Sequence, residues 1–232
     1  WATPPPRPRR QLRPPRLPRA RGLPPVAASP ARGASTRRVR GAAGHPAQRV
    51  RIVGGKWKRT PLAVPEVAGL RPTPDRVRET LFNWLGQTLD GCACLDPFAG
   101  TGALGLEAAS RGARRVVMVE RDRVAAAAIR AAIDRLGADA VELLAGDAFE
   151  AMRRLARAGE RFDLVLLDPP FGEGLVEQAL PLLGPLLAAG ARVYVETDAP
   201  FAPPAGWRIE RAARAGNVYY HLIGREHTPG GS

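Results

Sequence analysis

Cys94-Leu95-Asp96-Pro97-Phe98-Ala99-Gly100-Thr101-Gly102-Ala103-Leu104-Gly105 runs from a short apolar strand, through a glycine turn, into an alanine-rich helix. Gly100, Gly102 and Gly105 fit the G-x-G-x-x-G spacing, in which glycine permits positive φ and lets a ligand approach the backbone. Alone, that template is weak, because many strand–helix turns use glycine for packing. Its neighbours strengthen it. A second apolar run, Arg115 to Val119, ends at Glu120, at the spacing of an acid that binds ribose hydroxyls. A third, Val141 to Leu144, leads to Gly146-Asp147-Ala148, and a fourth, Leu164 to Leu167, runs into Asp168-Pro169-Pro170-Phe171. Apolar strands alternating with helices predict an α/β fold with a parallel sheet. Ligands of such sheets bind beyond the carboxyl ends of the strands. Asp96, Glu120, Asp147 and Asp168 stand at four successive strand ends, so all four are candidate site residues.

Working outward, the periodicity predicts a hairpin over 50–64 and a helix over 74–89. The core strands are expected at 92–96, 115–120, 140–145, 163–168 and 192–196. Helices are expected at 103–111, 122–136, 147–157 and 174–188. Trp207 to Ala212 and Val218 to Arg225, joined through a glycine turn, read as a closing antiparallel pair.

Two cofactor classes fit the glycine turn: a nicotinamide dinucleotide or S-adenosylmethionine. Asp96 favours the second, since a carboxylate there repels a pyrophosphate but suits the ammonium end of a methionine. Asp147 has two readings, an acceptor for an adenine amine or the N-cap of the following helix. The Asp-Pro-Pro-Phe stretch reads as a rigid notch. Two prolines fix two φ angles and remove two donors, which leaves free carbonyls beside one carboxylate and one ring. Such a notch can hold a flat heterocycle that stacks on Phe171 and donates its NH2 to Asp168 and the Pro169 carbonyl. The bland alternative is a strand followed by a stiff loop.

Residues 1–51 hold 13 Arg and no Lys, Asp or Glu, whereas residues 52–232 hold 22 basic and 22 acidic residues. The formal net charge of +13 therefore belongs to the head alone. Residues 1–48 also carry 11 Pro and almost no large apolar side chains, so disorder is expected there. Three readings of that head stand: an RNA-binding tail, a targeting segment, or upstream sequence from a mischosen start. The remainder is long enough for one domain with its own core. No stretch has the length and apolarity of a membrane span. Cys92 and Cys94 have no histidine-rich neighbourhood for zinc and read as small strand residues. Neither follows the Pro-Pro pair, which argues against the thiol chemistry of cytosine-C5 methylation.

Leu95 to Ala108, Glu120, Gly146-Asp147 and Asp168 to Phe171 together resemble the class I S-adenosylmethionine-dependent methyltransferases that act on amino groups. Arg51-Ile52-Val53-Gly54-Gly55-Lys56-Trp57, followed by Leu70-Arg71-Pro72-Thr73-Pro74-Asp75-Arg76-Val77-Arg78-Glu79-Thr80-Leu81-Phe82-Asn83-Trp84-Leu85, is similar to the RsmD family. The resemblance covers about residues 51 to 226. It implies a Rossmann-like seven-stranded sheet with helices on both faces and the last strand inserted antiparallel, preceded by the hairpin and helix. It implies methylation of guanine N2 in 16S ribosomal RNA (guanine 966 in the family), within an assembling small subunit, by a cytoplasmic monomer without a metal. The expected organisation is an extension at 1–48, a methyltransferase domain at 49–228, divided into 49–90 and 91–228, and a flexible tail at 229–232. Asp96, Phe98, Gly100, Gly102, Glu120, Arg121, Asp147 and Ala148 would hold S-adenosylmethionine. Asp168, Pro169, Pro170 and Phe171 would hold the base. Arg51, Lys56, Trp57, Lys58, Arg59, Arg76 and Arg78 would meet RNA, and Thr73 and Asp75 could equally cap the first helix. His221 is expected to be structural. The competing functions are an amino-methyltransferase acting on other RNA, DNA adenine or protein glutamine, a nicotinamide dehydrogenase, and a non-catalytic RNA-binding assembly factor. The last has no need of Asp168-Pro-Pro-Phe171.

Overall fold

The computed structural model describes residues 50–67 and 69–226. The extension at 1–48 and the tail at 229–232 lie outside the described residues. The hairpin is β1 (Val50–Arg51) and β2 (Pro61–Leu62), paired antiparallel, followed by α1 (Asp75–Leu85). Then come β3 (Ala93–Asp96), α2 (Ala103–Ser110), β4 (Arg115–Glu120), α3 (Arg123–Leu136), β5 (Val141–Ala145) and α4 (Ala148–Arg157). The last elements are β6 (Phe162–Leu167), α5 (Leu175–Leu183), β7 (Leu187–Thr197), β8 (Trp207–Ala215) and β9 (Val218–Arg225).

β3 to β9 form one seven-stranded sheet in the order β5-β4-β3-β6-β7-β9-β8. β9 is antiparallel to both of its neighbours, and the other pairings are parallel. The chain steps from β3 outward through β4 to β5, then returns to the other side of β3 with β6. The order therefore reverses between β3 and β6, the crevice where open α/β sheets bind ligands. β3 and β6 are buried along nearly their whole length, as expected of strands covered on both faces. One face packs Cys94, Leu164, Leu166 and Tyr194 under α1, α2 and α3. The other packs Leu95, Val165, Leu167, Val193 and Val195 under α4 and α5.

Most expected boundaries shift by a residue or two. α1 stops at Leu85 rather than Leu89 because Gly86, at φ 97°, closes it in the left-handed conformation. The fifth helix ends at Leu183, and Leu187 and Ala188, read as its continuation, open β7 instead. Leu-Ala-Ala has good helix propensity, but pairing of Leu187 with Phe162 overrides it.

The N-terminal segment is fastened to α2 by one carboxylate. Glu107 is fully buried and accepts from the Val53 N–H at 2.7 Å, Arg111 Nε at 2.8 Å and Arg78 Nη1 at 3.3 Å. Beside it, Ser110 accepts from the Lys56 and Trp57 N–H groups and donates to the Gly54 carbonyl. A Cβ at Gly55 would collide with the Ser110 carbonyl, so glycine is required there. Replacing Glu107 with alanine leaves Arg78 buried without its innermost counter-charge. The expected cost is about 3–5 kcal/mol, measured by urea unfolding, and loss of under about 1 kcal/mol would contradict this account.

Candidate active site

Register brings the strand-end acids together. Leu167 pairs with Val195, so Asp168 and Glu196 follow side by side on β6 and β7. Leu95 pairs with Val165, which sets Asp96 level with Leu166 on the adjacent strand. Side chains alternate along a strand, so Asp96, Leu166, Asp168, Tyr194 and Glu196 share one face, the face that α1 covers.

Asp96 is buried. Its Oδ2 accepts from the Gly105 N–H at 3.0 Å, while Oδ1 is buried with no hydrogen-bond partner among the described residues. Burial, and then the charge of Asp168, push its carboxyl up to about 8. A Cβ on Gly105 would stand 2.8 Å from the Met118 sulfur and 3.1 Å from Asp96 Oδ2, so the third glycine serves close packing. Gly100 and Gly102 have φ of 55° and 77°, the left-handed region that the turn requires. Glu120 accepts from the Gly100 N–H and the Asp122 N–H, both at 2.7 Å. A carboxylate has about four acceptor sites, so this arrangement still leaves capacity for hydroxyl donors. Phe98 is half-buried and meets Phe149 edge-on, and Arg121 is exposed.

Asp147 is exposed and caps α4 by accepting from the Glu150 N–H at 2.9 Å. The capping reading is therefore realised, through one oxygen only. A surface cleft of about 450 Å³ adjoins it, lined also by Val119, Leu144 and Gly146, with Ala148 buried beneath the helix start. A larger cleft, about 610 Å³, is lined by Gly54, Lys58, Asn83 and Arg111 and includes none of the strand-end acids.

Asp168 and Phe171 are half-buried, Pro169 is buried and Pro170 is exposed. Burial pushes Asp168 up to about 6, opposed by the Thr73 hydroxyl, which donates to Oδ2 at 2.6 Å. Glu196 is buried and accepts from the Tyr194 hydroxyl at 2.7 Å. Burial, then the charge of Asp168, push it up to about 8.

The expected RNA-contact residues are not all at the surface. Arg78 is fully buried and ion-paired with Asp75 and Glu107, so burial removes it from any RNA surface. Arg51 is exposed but engages Asp75. Arg76, Lys56, Lys58 and Arg59 are exposed, and Trp57 is half-buried beneath the Lys56 ammonium. The tip of the hairpin is docked on the C-terminal end of α2, whereas the glycine turn lies at its N-terminal end. Neither Thr73 nor Asp75 caps α1, whose N-cap is Pro74 with no side-chain bond.

Sequence reasoning misses Glu196 and Glu107, and it offers Thr73 only as a helix cap. Glu196 has a signal, an apolar strand ending on an acid. Glu107 has a weaker one, a lone acid within an apolar helix.

The fold, with acids gathered at its switch point, is that of a class I methyltransferase. A family model described as Conserved hypothetical protein 95 matches residues 50–224. Ribosomal RNA small subunit methyltransferase D of Escherichia coli is 44% identical, with 76% of this chain and 90% of that protein aligned. The protein of the same name from Haemophilus influenzae is 39% identical, over 75% and 92%. The solved structure of yhhF from Escherichia coli superposes with a TM-score of 0.68 at 43% identity, covering 77% of this chain and 98% of that one. The chain belongs to the RsmD family.

The buried acids set a pH dependence of stability. Asp96 and Glu196 have ordinary values of 3.8 and 4.5, both raised to about 8 in the fold. The native protein keeps protons that the unfolded chain has lost, so stability falls as pH rises between those limits. Urea unfolding from pH 5 to 9 should show this decline, and Asp96→Asn and Glu196→Gln should each flatten it. A slope unchanged in both variants would refute the assignment.

Proposed function

We propose that this chain transfers a methyl group from S-adenosylmethionine to the exocyclic N2 amine of a guanine in small-subunit ribosomal RNA. The observation that carries this reading is Asp168, half-buried at the switch point, followed by two prolines and beside Asp96, whose Oδ1 has no hydrogen-bond partner among the described residues. The relatives named for small-subunit rRNA methylation support the RNA class. An assembling subunit fits as the substrate, because a guanine N2 amine is reached only when the nucleotide is unpaired or extruded.

The cofactor fits the residues present. The orphaned Asp96 oxygen suits a buried ammonium, and Gly100 and Gly102 give the turn the left-handed backbone it needs. Asp96 would hold the ammonium, Glu120 the ribose hydroxyls, and Asp147 the adenine amine through its uncommitted oxygen. Phe98, Gly100, Gly102, Arg121 and Ala148 would complete the site. When bound, S-adenosylmethionine supplies an activated methyl group on a sulfonium.

The chain's own residues act on the nucleophile. A guanine amine is a poor nucleophile because its lone pair is spread into the ring. Asp168 and the Pro169 carbonyl accept its hydrogens and draw that pair back to nitrogen. Phe171 stacks on the base, an interaction worth about 1–3 kcal/mol. With its carboxyl at about 6, Asp168 is mostly ionised at neutral pH, so it orients the amine first and takes a proton second. Position supplies most of the acceleration.

Asp168→Ala should abolish methyl transfer while cofactor affinity stays within about threefold. Radiolabelled cofactor offered to unmethylated small subunits, DNA and protein in parallel reads both the loss and the substrate class. Full activity of the variant, or labelling of DNA or protein alone, would end this reading. Cofactor binding should also release a proton from Asp96. Calorimetry between pH 5.5 and 7 should show affinity rising by up to about tenfold per pH unit, and Asp96→Asn should bind weakly without that rise. A pH-independent wild-type affinity would remove Asp96 from the ammonium.

A further inference from the structure

Thr73 is the one side chain that hydrogen-bonds Asp168 among the described residues. It is buried, and its hydroxyl reaches Asp168 Oδ2 at 2.6 Å across 95 residues of chain. Its place is fixed from three sides. Pro72 and Pro74 flank it and restrict the backbone on either side. Its carbonyl accepts from Arg78 Nε at 3.2 Å, and Arg78 is itself held by Asp75 and Glu107. It does not cap α1. A buried threonine whose hydroxyl is spent on one oxygen of a strand-end carboxylate is built to control that carboxylate.

We propose that Thr73 is a positioning residue for methyl transfer, occupying Oδ2 of Asp168 and so reserving Oδ1 for the substrate amine. This rests on the reading of Asp168 as the amine's acceptor. Among the described residues Oδ1 makes no hydrogen bond. An aspartate's terminal torsion is soft, and a short bond to an ionised oxygen is among the stronger neutral-donor bonds. Thr73 therefore narrows the rotation that would otherwise spread Oδ1 over many orientations. It also favours the ionised form, against burial; the groups that face this carboxylate, Asp96 from β3 and Tyr194 and Glu196 from β7, titrate above it, each raised in part by the charge of Asp168. The proton balance follows. As the amine nitrogen bonds the methyl carbon, the bond from that carbon to sulfur breaks and its electron pair stays on sulfur. One N–H proton then passes to Oδ1 or to water, with Oδ2 still engaged.

The test compares Thr73→Val, which keeps shape without the hydroxyl, with Thr73→Ser, which keeps the hydroxyl, and with Asp168→Ala, all in the full chain. Thr73→Val should lower kcat by about 10- to 100-fold, with cofactor Kd and RNA KM within about twofold. Thr73→Ser should recover most of kcat. Carbon-13 titration of the Asp168 carboxyl in the cofactor-free protein gives a readout independent of turnover. Its midpoint, near 6 in the wild type, should rise in Thr73→Val and stay in place in Thr73→Ser. The acid limb of the kcat profile should move up with it. Wild-type kcat with an unmoved midpoint in Thr73→Val overturns the proposal. So does equal impairment of folded Thr73→Ser and Thr73→Val, with unfolding midpoints matching the wild type. An inactive Asp168→Ala beside a fully active Thr73→Val overturns this proposal alone. An active Asp168→Ala overturns the reading beneath it.

Discussion

Three segments far apart in the chain meet on the buried carboxylate of Glu107: the hairpin through the Val53 N–H, α1 through Arg78, and the end of α2 through Arg111. Removing these charges from water is expensive, and a well-packed apolar replacement is often as stable. Net stability is therefore a poor reason for the cluster, and geometry a better one. Arg78 also grips the Thr73 carbonyl and the Asp75 carboxylate, so Glu107 determines where α1 begins over the sheet. Where α1 begins determines where Thr73 stands, and Thr73 touches Asp168. The N-terminal segment is thus part of the support of the candidate site and not an appendage to the sheet.

The sheet supplies the second constraint. Parallel strands in register bring their carboxyl ends to one edge, and here three of them carry acids on one face. Burial disfavours the ionisation of Asp96, Asp168 and Glu196, and the charge of Asp168 adds to that cost for the other two. A site of this kind is stabilised by a positive ligand. A methyl donor that is a sulfonium with an ammonium nearby meets the requirement, whereas a dinucleotide's pyrophosphate would add negative charge where it is least tolerated. Cofactor choice follows from the acids, and the glycine turn alone does not make it.

Much of this was legible in the sequence. The apolar runs ending at Asp96, Glu120 and Asp168 located β3, β4 and β6 to within a residue, because strands buried on both faces leave continuous hydrophobic stretches. The first half of β7 was not legible, since Leu-Ala-Ala carries no strand period and only pairing with Phe162 makes it a strand. The long-range contacts were hidden for a different reason. Thr73 beside two prolines looks like a helix cap, and nothing local says that its hydroxyl is used 95 residues away. Arg78 looks like an RNA-facing arginine on a helix of alternating charge, and only the position of Glu107 makes it a core residue.

The distribution of charge bears on how RNA is held. Residues 52–232 carry equal numbers of basic and acidic side chains, so net charge gives the domain no general pull towards phosphate. Attraction must come from local placement. Of the cations proposed to meet RNA, Arg78 is committed to the core and Arg51 to Asp75, whereas Arg76 in the first turn of α1 and the lysines and Arg59 of the hairpin are exposed. A balanced domain with a few well-placed cations favours register on one substrate over indiscriminate binding, because phosphate contacts position while other contacts specify. The formal net charge of +13 is carried by residues 1–51, so any pull of the whole chain towards phosphate that depends on net charge, sequence-independent and steeply weakened by salt, would originate there and not in the domain.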